Sequence, residues 1–324
     1  MPSGRRQSIS NTRKTNLDQG FFLVFSSVIC PVCHYQQQTP VGIASDHLVS
    51  GKSFPLVRCS HCGLIMTASL PRKEELGAYY KSNNYISHSD VHKGLMNRLY
   101  HAARRKMLKQ KGRLVKRATP PHDGASPRLL DVGCGTGYFA HHMQQLGYQV
   151  SCVEQDAEAR AFAKEKFALT PSEALLHTDW PDHSFEIVTL WHVLEHIVDL
   201  EEHMQRLSQL VTKGGTLLIA VPNPTSYDAQ LLQSEWAAYD VPRHVWHFTP
   251  DSLITLAERY GFRLEKLRPM WLDVYYIVLM TQQQRGRKGL NAWLRAVLIG
   301  FWGNVRTLMD VRAASSLIYL FRRD

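Results

Sequence analysis

The stretch Arg128-Leu-Leu-Asp131-Val-Gly133-Cys-Gly135-Thr-Gly137 decides the fold. A short apolar strand ends in an acid, and glycines then occupy every second position. Glycines at this spacing let the backbone turn tightly and come close to a ligand. The order of acid and glycines differs from G-x-G-x-x-G, the pattern that cradles the pyrophosphate of a dinucleotide. By itself the stretch predicts a nucleotide site, with a purely structural turn as the alternative.

The chain beyond this stretch alternates between strands and helices. The predicted elements are a helix through residue 146, a strand over 149–154, a helix over 157–167, a strand over 185–191, a helix from about 199 and a strand over 216–221. Such alternation indicates βαβ units and a parallel sheet. We therefore expect an α/β fold.

Glu154 is a second sign of a nucleotide ligand. It ends the second predicted strand, 17 residues beyond Gly137. An acid at this place accepts hydrogen bonds from ribose hydroxyls. Together with the glycine loop, it favours a bound nucleoside over a structural turn.

Four sequence runs in order resemble the class I S-adenosylmethionine-dependent methyltransferases. The runs are LLDVGCGTGYFA, VEQD, SFEIVTLWHVLEHI and GGTLLIAVPNP, and they lie within residues 128–270. The resemblance implies a Rossmann-like methyltransferase sheet, mostly parallel with an antiparallel last strand, and S-adenosylmethionine as cofactor. The cofactor-binding residues that it implies are Asp131 with Gly133, Gly135 and Gly137 for the methionine end, Glu154 for the ribose, Glu173 after a short third strand for the adenine, and His192 beside the cofactor.

Four of the six cysteines form two C-x-x-C pairs, Cys30 with Cys33 and Cys59 with Cys62, separated by 25 residues. Each pair directs two thiolates at one ion, so two pairs complete a tetrahedral zinc site. A redox or coincidental thiol pair is the alternative. Because a closed four-cysteine site leaves no position for water, we expect a structural Zn2+ that replaces the core a segment of ~40 residues cannot supply. This use of cysteine suits a reducing cytoplasm.

The pattern LVRCSHCGLIMT…P…AYY…NYIS is similar to one subgroup of these methyltransferases, over residues 30–322. Its members carry an amino-terminal zinc-binding segment and are common in sugar, surface-polysaccharide and natural-product pathways. The predicted organisation is a disordered basic tail over 1–19, a zinc-ribbon-like segment with the four paired cysteines over 20–70, a basic helical connector over 71–127, and a methyltransferase domain over 128–324 with a helical insertion at about 274–312.

Histidines that follow the fourth and fifth strands are the candidate catalytic groups. Ligands of open α/β sheets lie beyond the carboxyl ends of the strands, and methyl transfer needs at most one proton removed. We favour His244 as general base, oriented by Asp240 or Tyr239. Arg243 would position an anionic substrate. His196 is a second candidate, with a role in capping the cofactor pocket as its alternative, and the loop around His244 has packing of a lid as its alternative.

The formal net charge of +10 is local, because ten Lys or Arg and no acid lie between residues 91 and 117. Leu95, Leu99, Ala103 and Met107 give this stretch one predicted apolar face. Three interpretations remain: a solvated helix face, a site for phosphates of a sugar nucleotide, lipid or membrane, and a nucleic-acid site.

Residues 290–312 mix Trp, Leu and Phe with Arg every few residues. This composition is typical of an amphipathic helix pair on a membrane interface or over an apolar substrate channel, with packing onto the core as the alternative. Residues 316–322 read as the last strand, an antiparallel edge. No apolar run reaches the ~18 residues that span a bilayer, so we expect a cytoplasmic protein whose membrane contact, if any, is peripheral.

The leading functional hypothesis is methyl transfer from S-adenosylmethionine to a small-molecule, glycan or lipid-linked acceptor, with a histidine assisting deprotonation. An RNA methyltransferase is the first alternative, suggested by the cysteine pairs and the basic stretch. Residues 191–194 read Trp-His-Val-Leu, where enzymes that methylate exocyclic amines commonly carry an Asn/Asp-Pro-Pro-aromatic turn, which argues against nucleic acid. A noncatalytic cofactor-binding protein is the second alternative, and the intact glycine loop with Glu154 argues against it.

Overall fold

The computed structural model describes residues 29–80, 95–120 and 124–324, and only the helical backbone of residues 95–103. The predicted tail over 1–19 lies outside these residues. The strands are β1 (Gln38–Ser45), β2 (Ser53–Cys59), β3 (Ile65–Thr67), β4 (Arg128–Val132), β5 (Gln149–Val153), β6 (Phe185–Trp191), β7 (Val211–Pro222), β8 (Trp246–His247), β9 (Phe262–Pro269) and β10 (Ser316–Arg323). The α-helices are α1 (Lys73–Leu76), α2 (Leu95–Ala118), α3 (Tyr138–Gln145), α4 (Ala157–Phe167), α5 (Leu200–Leu210), α6 (Tyr227–Leu232), α7 (Pro250–Arg259), α8 (Asp273–Gln284) and α9 (Leu290–Met309).

The main sheet has the strand order β5-β4-β6-β7-β10-β9. Strands β5, β4, β6 and β7 run parallel, and β10 is antiparallel to both of its neighbours. The expected α/β fold, mostly parallel with an antiparallel last strand, is confirmed. The expectation that the last strand forms the edge is wrong, because β9 pairs outside it. Six consecutive residues of β10 are buried, as an interior strand requires, whereas β9 is mostly half-buried or exposed.

The predicted third strand is reduced to a single parallel bridge between Val153 and Ser172. Pro171 precedes this bridge. Because proline has no backbone N–H to donate to a ladder, the pairing does not extend in that direction. Glu173, the residue predicted to flank the adenine, therefore follows a single bridge at the end of β5.

The carboxyl-terminal half of the basic helix α2 packs against the main sheet. Met107 is 42% exposed, while Val115 and Ala118 are buried against β4 and α3 residues. The carbonyl of Ala118 accepts a hydrogen bond from Thr216 Oγ1 at 2.7 Å. Met107 is the one member of the predicted apolar face whose side chain is described, and the side chains of the other three lie outside the described ones.

Helices α8 and α9 lie between β9 and β10 and leave an apolar surface exposed. The large exposed side chains of α9 are Leu290, Trp293, Leu294, Leu298, Phe301, Trp302, Leu308 and Met309. Small residues of the same helix, among them Ala296, Gly300 and Gly303, are buried. Within the described residues, no helix has both the length and the apolarity needed to cross a membrane.

The amino-terminal sheet is completed by a strand that lies much later in the sequence. Its order is β1-β2-β3-β8, and β8 belongs to the loop that follows β7. Thr67 Oγ1 donates to the carbonyl of His244 at 2.7 Å. The loop that carries the candidate base is therefore paired, strand to strand, with the segment that carries the cysteines.

Candidate active site

The glycine loop is confined by both backbone conformation and space. Gly133 and Gly137 have φ angles of 71° and 78°. A Cβ on Gly133 would overlap Val193 Cγ2, and one on Gly137 would lie 2.7 Å from Leu169 Cδ1. Because an L side chain at either position would be strained and would also clash, the loop after β4 requires glycine. Gly135, also at positive φ, lies between them in open space.

Asp131 lies buried at the end of β4. It is 2% exposed, and its Oδ1 accepts a hydrogen bond from Thr189 Oγ1 at 2.7 Å. Burial raises the pKa of Asp131 to about 7, while Thr189 and the cation of Lys111 oppose the rise. A carboxylate held in this way keeps its charge only with partners of opposite charge nearby.

Lys111 of α2 points toward this carboxylate. Its Nζ lies 4.1 Å from the centroid of the Trp191 ring, which is a cation–π distance. Burial lowers the pKa of Lys111 to about 8, and the charges of Asp131 and Asp273 limit the fall. Sequence analysis did not single out this lysine among the ten basic residues of the stretch.

Glu154 is tied to the glycine loop. Its Oε2 accepts from Gly135 N at 2.7 Å, and its Oε1 accepts from Asp156 N at 2.9 Å. Glu173 follows Ser172, whose carbonyl accepts a hydrogen bond from Glu154 N at 2.9 Å, so Glu173 lies near Glu154. The side chain of Glu173 is 78% exposed and lies 3.6 Å from Arg160, so it is at the rim of the loop, whereas Glu154 is part of it.

His192 has a left-handed backbone and two carboxylate neighbours. Its φ is 57°, and its ring nitrogens lie 3.4 Å from Glu195 Oε1 and 3.4 Å from Asp273 Oδ2. Burial lowers the pKa of His192, but the two carboxylates outweigh it and the pKa rises to about 9. His192 is therefore a cation between two acids. Neither Asp273 nor Glu195 was predicted, although Glu195 lies in the run SFEIVTLWHVLEHI.

His196 and His244 face each other, with their ring centroids 4.5 Å apart and the rings edge to face. The Nδ1 of His196 lies 3.1 Å from the carbonyl of Arg243, and the Nδ1 of His244 lies 2.8 Å from the carbonyl of Ala238. Because a carbonyl only accepts, each Nδ1 carries a proton, so in the neutral form of each ring the lone pair is on Nε2. Burial and the neighbouring His244 lower the pKa of His196 to about 4, so this ring is neutral at neutral pH.

The predicted partners of His244 need correction. Asp240 Oδ2 is 4.0 Å from His244 Nε2, and Tyr239 packs edge-on against the ring of His247 at 5.0 Å. Neither side chain hydrogen-bonds to His244. The ring is oriented by a backbone carbonyl instead, that of Ala238.

Arg243 is also assigned wrongly by the sequence. Its side chain is 1% exposed. It donates to Asp46 Oδ1 at 3.0 Å, to Asp240 Oδ1 at 2.6 Å and to the carbonyl of Tyr79 at 3.0 Å. A guanidinium whose donors are engaged inside the protein does not position an anionic substrate, so Arg243 joins two parts of the structure.

The four paired cysteines come together. Cys30 Sγ is 3.5 Å from Cys62 Sγ, Cys33 Sγ is 3.5 Å from Cys59 Sγ, and all four sulfurs lie within 4.8 Å of one another. The bond with Cys62 lowers the pKa of Cys30 to about 5. Four converging thiols are a donor set that fits zinc.

Comparison with known proteins agrees with this geometry. Residues 100–267 match the family described as "Methyltransferase domain". The chain is 27% identical over 188 residues to a ubiquinone biosynthesis O-methyltransferase of Mesorhizobium japonicum, covering 50% of this chain and 75% of that one. Another protein of that name, from Ruegeria sp., is 30% identical over 154 residues, covering 42% and 60%. The solved structure of a SAM dependent methyltransferase from Archaeoglobus fulgidus is 20% identical and covers 67% of this chain and 94% of that one, with a TM-score of 0.46.

The family match spans more than half of the chain and includes the glycine loop, β4 to β7 and most of β9. It also includes the residues that surround Asp131, apart from Asp273. The chain therefore belongs to the methyltransferase-domain family and is a class I S-adenosylmethionine-dependent methyltransferase.

Proposed function

We propose that the chain transfers a methyl group from S-adenosylmethionine to an oxygen of a small-molecule, glycan or lipid-linked acceptor, and that His244 removes the acceptor's proton. The observation that carries the proposal is the pair of Nε2 lone pairs on His196 and His244 beyond the carboxyl ends of the parallel strands, where ligands of such sheets bind. The relatives named above, which are O-methyltransferases of ubiquinone biosynthesis by name, support oxygen as the methylated atom.

The residues around the glycine loop suit each part of the cofactor. The methionine end carries an ammonium and a carboxylate, which match the opposite charges of Asp131 and Lys111. The ribose hydroxyls suit the carboxylate of Glu154, whose oxygens already bind backbone N–H groups of the loop. We assign Glu173 to the rim beside the adenine, and His192 to the wall beside the methionine end.

The acceptor proton is assigned to His244 on the basis of its neighbour. The low pKa of His196 makes that ring a weak base. The ring of His244 is held by a backbone carbonyl in the same way and also directs its Nε2 away from that carbonyl. When bound, S-adenosylmethionine supplies a methyl group on a sulfonium. His244 takes the proton as the acceptor oxygen attacks, and the buried walls formed by Trp236 and Tyr239 exclude water from this loop.

We propose that the four cysteines bind a structural zinc. The knuckles are held by backbone bonds, from Cys59 N to Leu64 O at 2.8 Å and from Cys30 N to Tyr35 O at 3.1 Å. Arg259 of α7 donates to the carbonyls of Pro31 and Val32. The metal therefore fixes a segment that both pairs with β8 and packs on the main sheet.

The exposed face of α9 supports peripheral contact with an anionic membrane. Trp293, Leu298 and Phe301 are each more than half exposed and recur at helical spacing. Arg295 and Arg306 are exposed beside this face. Aromatic and aliphatic side chains with flanking arginines match an interface of acyl chains and anionic headgroups, which suits a lipid-linked acceptor.

Replacing the proposed base tests the function. We expect His244→Ala to lower turnover by about 10²- to 10⁴-fold, the usual contribution of a general base, and to leave the affinity for S-adenosylmethionine unchanged. The measurement is transfer of radiolabelled methyl to hydroxylated small molecules and to RNA. His177→Ala, at an exposed turn, is the control. Full turnover in His244→Ala, or label in RNA alone, would contradict the proposal.

Cofactor affinity is expected to depend on the charge of Lys111. As pH rises through about 8, the lysine loses its proton and its attraction for a carboxylate, so affinity falls. Lys111→Met should weaken binding about tenfold or more below that pH, since a hydrogen bond between charged groups contributes about 1.5–3 kcal/mol, and should flatten the pH dependence. Calorimetry at several pH values tests this, with exposed Lys109→Met as control. If Lys111→Met kept the fall in affinity near pH 8, the assignment of that fall to Lys111 would be wrong.

Metal analysis tests the zinc site. We expect the double change Cys59→Ser with Cys62→Ser to remove the zinc bound by the cysteines and to lower the melting temperature, because a closed zinc site contributes directly to folding. Cys134→Ser, at a cysteine outside the cluster, should keep the metal. Zinc retained by the double variant would show that the cysteines do not bind it.

The membrane surface is tested by sedimentation with vesicles that contain phosphatidylglycerol. We expect Trp293→Ser with Phe301→Ser to weaken binding about tenfold, since partial burial of each aromatic ring contributes on the order of 1 kcal/mol. Leu231→Ser, at an exposed apolar residue of α6, is the matched control. Equal binding of the two variants would rule out this face.

A further inference from the structure

Three side chains beyond the carboxyl ends of β6 and β7 converge on one point. They are Glu195, His196 and His244, and one ligand atom from each lies within 4.8 Å of the others. Glu195 and His196 belong to the turn after β6, and His244 to the loop before β8. The cluster is separate from the four cysteines and uses different donor atoms, two imidazole nitrogens and a carboxylate oxygen.

The two histidines are held in the form that binds a metal. Each Nδ1–H donates to a backbone carbonyl, that of Arg243 for His196 and that of Ala238 for His244. Such a bond fixes the tautomer and the ring orientation and leaves Nε2 unprotonated. Histidines that bind metals in proteins are held by outer partners in this way.

Glu195 supplies the observation that points to a ligand. Its side chain is 1% exposed, and within the described part of the chain neither carboxylate oxygen accepts a hydrogen bond. Its nearest charged partner is His192, at 3.4 Å. A buried carboxylate is costly unless it is paired, hydrogen-bonded or bound to a metal, and this one has the ion pair with His192 but no hydrogen bond.

We propose that Glu195, His196 and His244 bind one divalent metal ion of the first transition row, through one carboxylate oxygen and two Nε2 atoms. Two imidazoles and one carboxylate suit Zn2+, Fe2+, Mn2+ or Co2+, whereas Mg2+ and Ca2+ prefer oxygen ligands alone. Three protein ligands leave positions open, as in catalytic metal sites.

The catalytic use of this metal rests on the proposed methyl transfer and changes the role of His244 within it. An acceptor hydroxyl on the metal loses its proton to solvent more readily, because the cation stabilises the resulting oxyanion. The oxygen's electron pair then forms the bond to the methyl carbon. The carbon–sulfur bond breaks, and its electrons go to sulfur, which becomes a neutral thioether. In the metal-bound protein the Nε2 of His244 is a ligand and does not take the proton, so removal of the proton by His244 applies to the protein without this metal.

The test is a calorimetric titration of the full chain, with zinc already bound by the cysteines, using Mn2+, Co2+ and Zn2+ alone. We expect one further equivalent to bind, and we expect His244→Gln and Glu195→Gln each to raise its Kd about 100-fold or more. His177→Ala should match the unchanged protein. The Co2+ complex should show bands of nitrogen and oxygen ligation without thiolate charge transfer, which distinguishes it from binding at the cysteines.

Measurements of folding and of cofactor binding separate a failure of the metal site from a failure of the proposed function. Melting temperature and S-adenosylmethionine affinity are measured on every variant, and His196→Gln replaces any variant that does not fold. No second equivalent at millimolar metal, or an unchanged Kd in the folded variants, overturns the metal site while cofactor binding and methyl transfer still stand. Metal binding without cofactor binding or methyl transfer overturns the proposed function and leaves the metal site intact.

Discussion

The ion pairs of Arg243 hold together the parts of the structure on which the acceptor side depends. Its guanidinium lies between Asp46, in the turn between β1 and β2, and Asp240, in the loop after β7. Burial opposes the charge of Asp240, but Arg243 outweighs it and keeps the pKa of that carboxyl below its ordinary value. Breaking a buried pair of this kind costs about 3–5 kcal/mol, because the partners stay buried and uncompensated. The same loop supplies the carbonyls of Ala238 and Arg243 that orient the two histidines, so the geometry of the proposed acceptor side depends on a buried cation.

Charges of opposite sign alternate along the end of the sheet. Lys111 faces Asp131, and Asp273 follows, then the cationic ring of His192, then Glu195. Each buried charge is thus compensated by the next, which is the condition for keeping charged groups out of water. The raised pKa of Asp131, the lowered pKa of Lys111 and the raised pKa of His192 are consequences of one arrangement. Such an arrangement suits a ligand that itself carries charges of both signs.

Features of local origin could be predicted from the sequence, and those formed by distant residues could not. Helix α4 and strand β6 agree with the predicted bounds, because the hydrophobic pattern of neighbouring residues determines both elements. The glycine loop and the cysteine cluster follow from spacing. By contrast, the Arg243–Asp46 contact joins positions 197 apart in sequence. Lys111 resembles its nine basic neighbours until the packing of Val115 and Ala118 decides which side of α2 faces inward. The predicted short third strand is reduced to one bridge, because Pro171 limits the pairing.

The amino-terminal segment supports the loop that carries His244. Strand β8 has two residues and pairs with β3 alone, and β3 itself has three residues. Strands this short are not stable on their own, so the loop that carries His244 needs a partner whose position is fixed by something else. The cluster of four cysteines fixes the segment without a large core. Thr67 of this segment then donates a hydrogen bond to the carbonyl of His244 at 2.7 Å. The proposed zinc of the cysteines would therefore hold the edge onto which the loop of His244 adds as a strand.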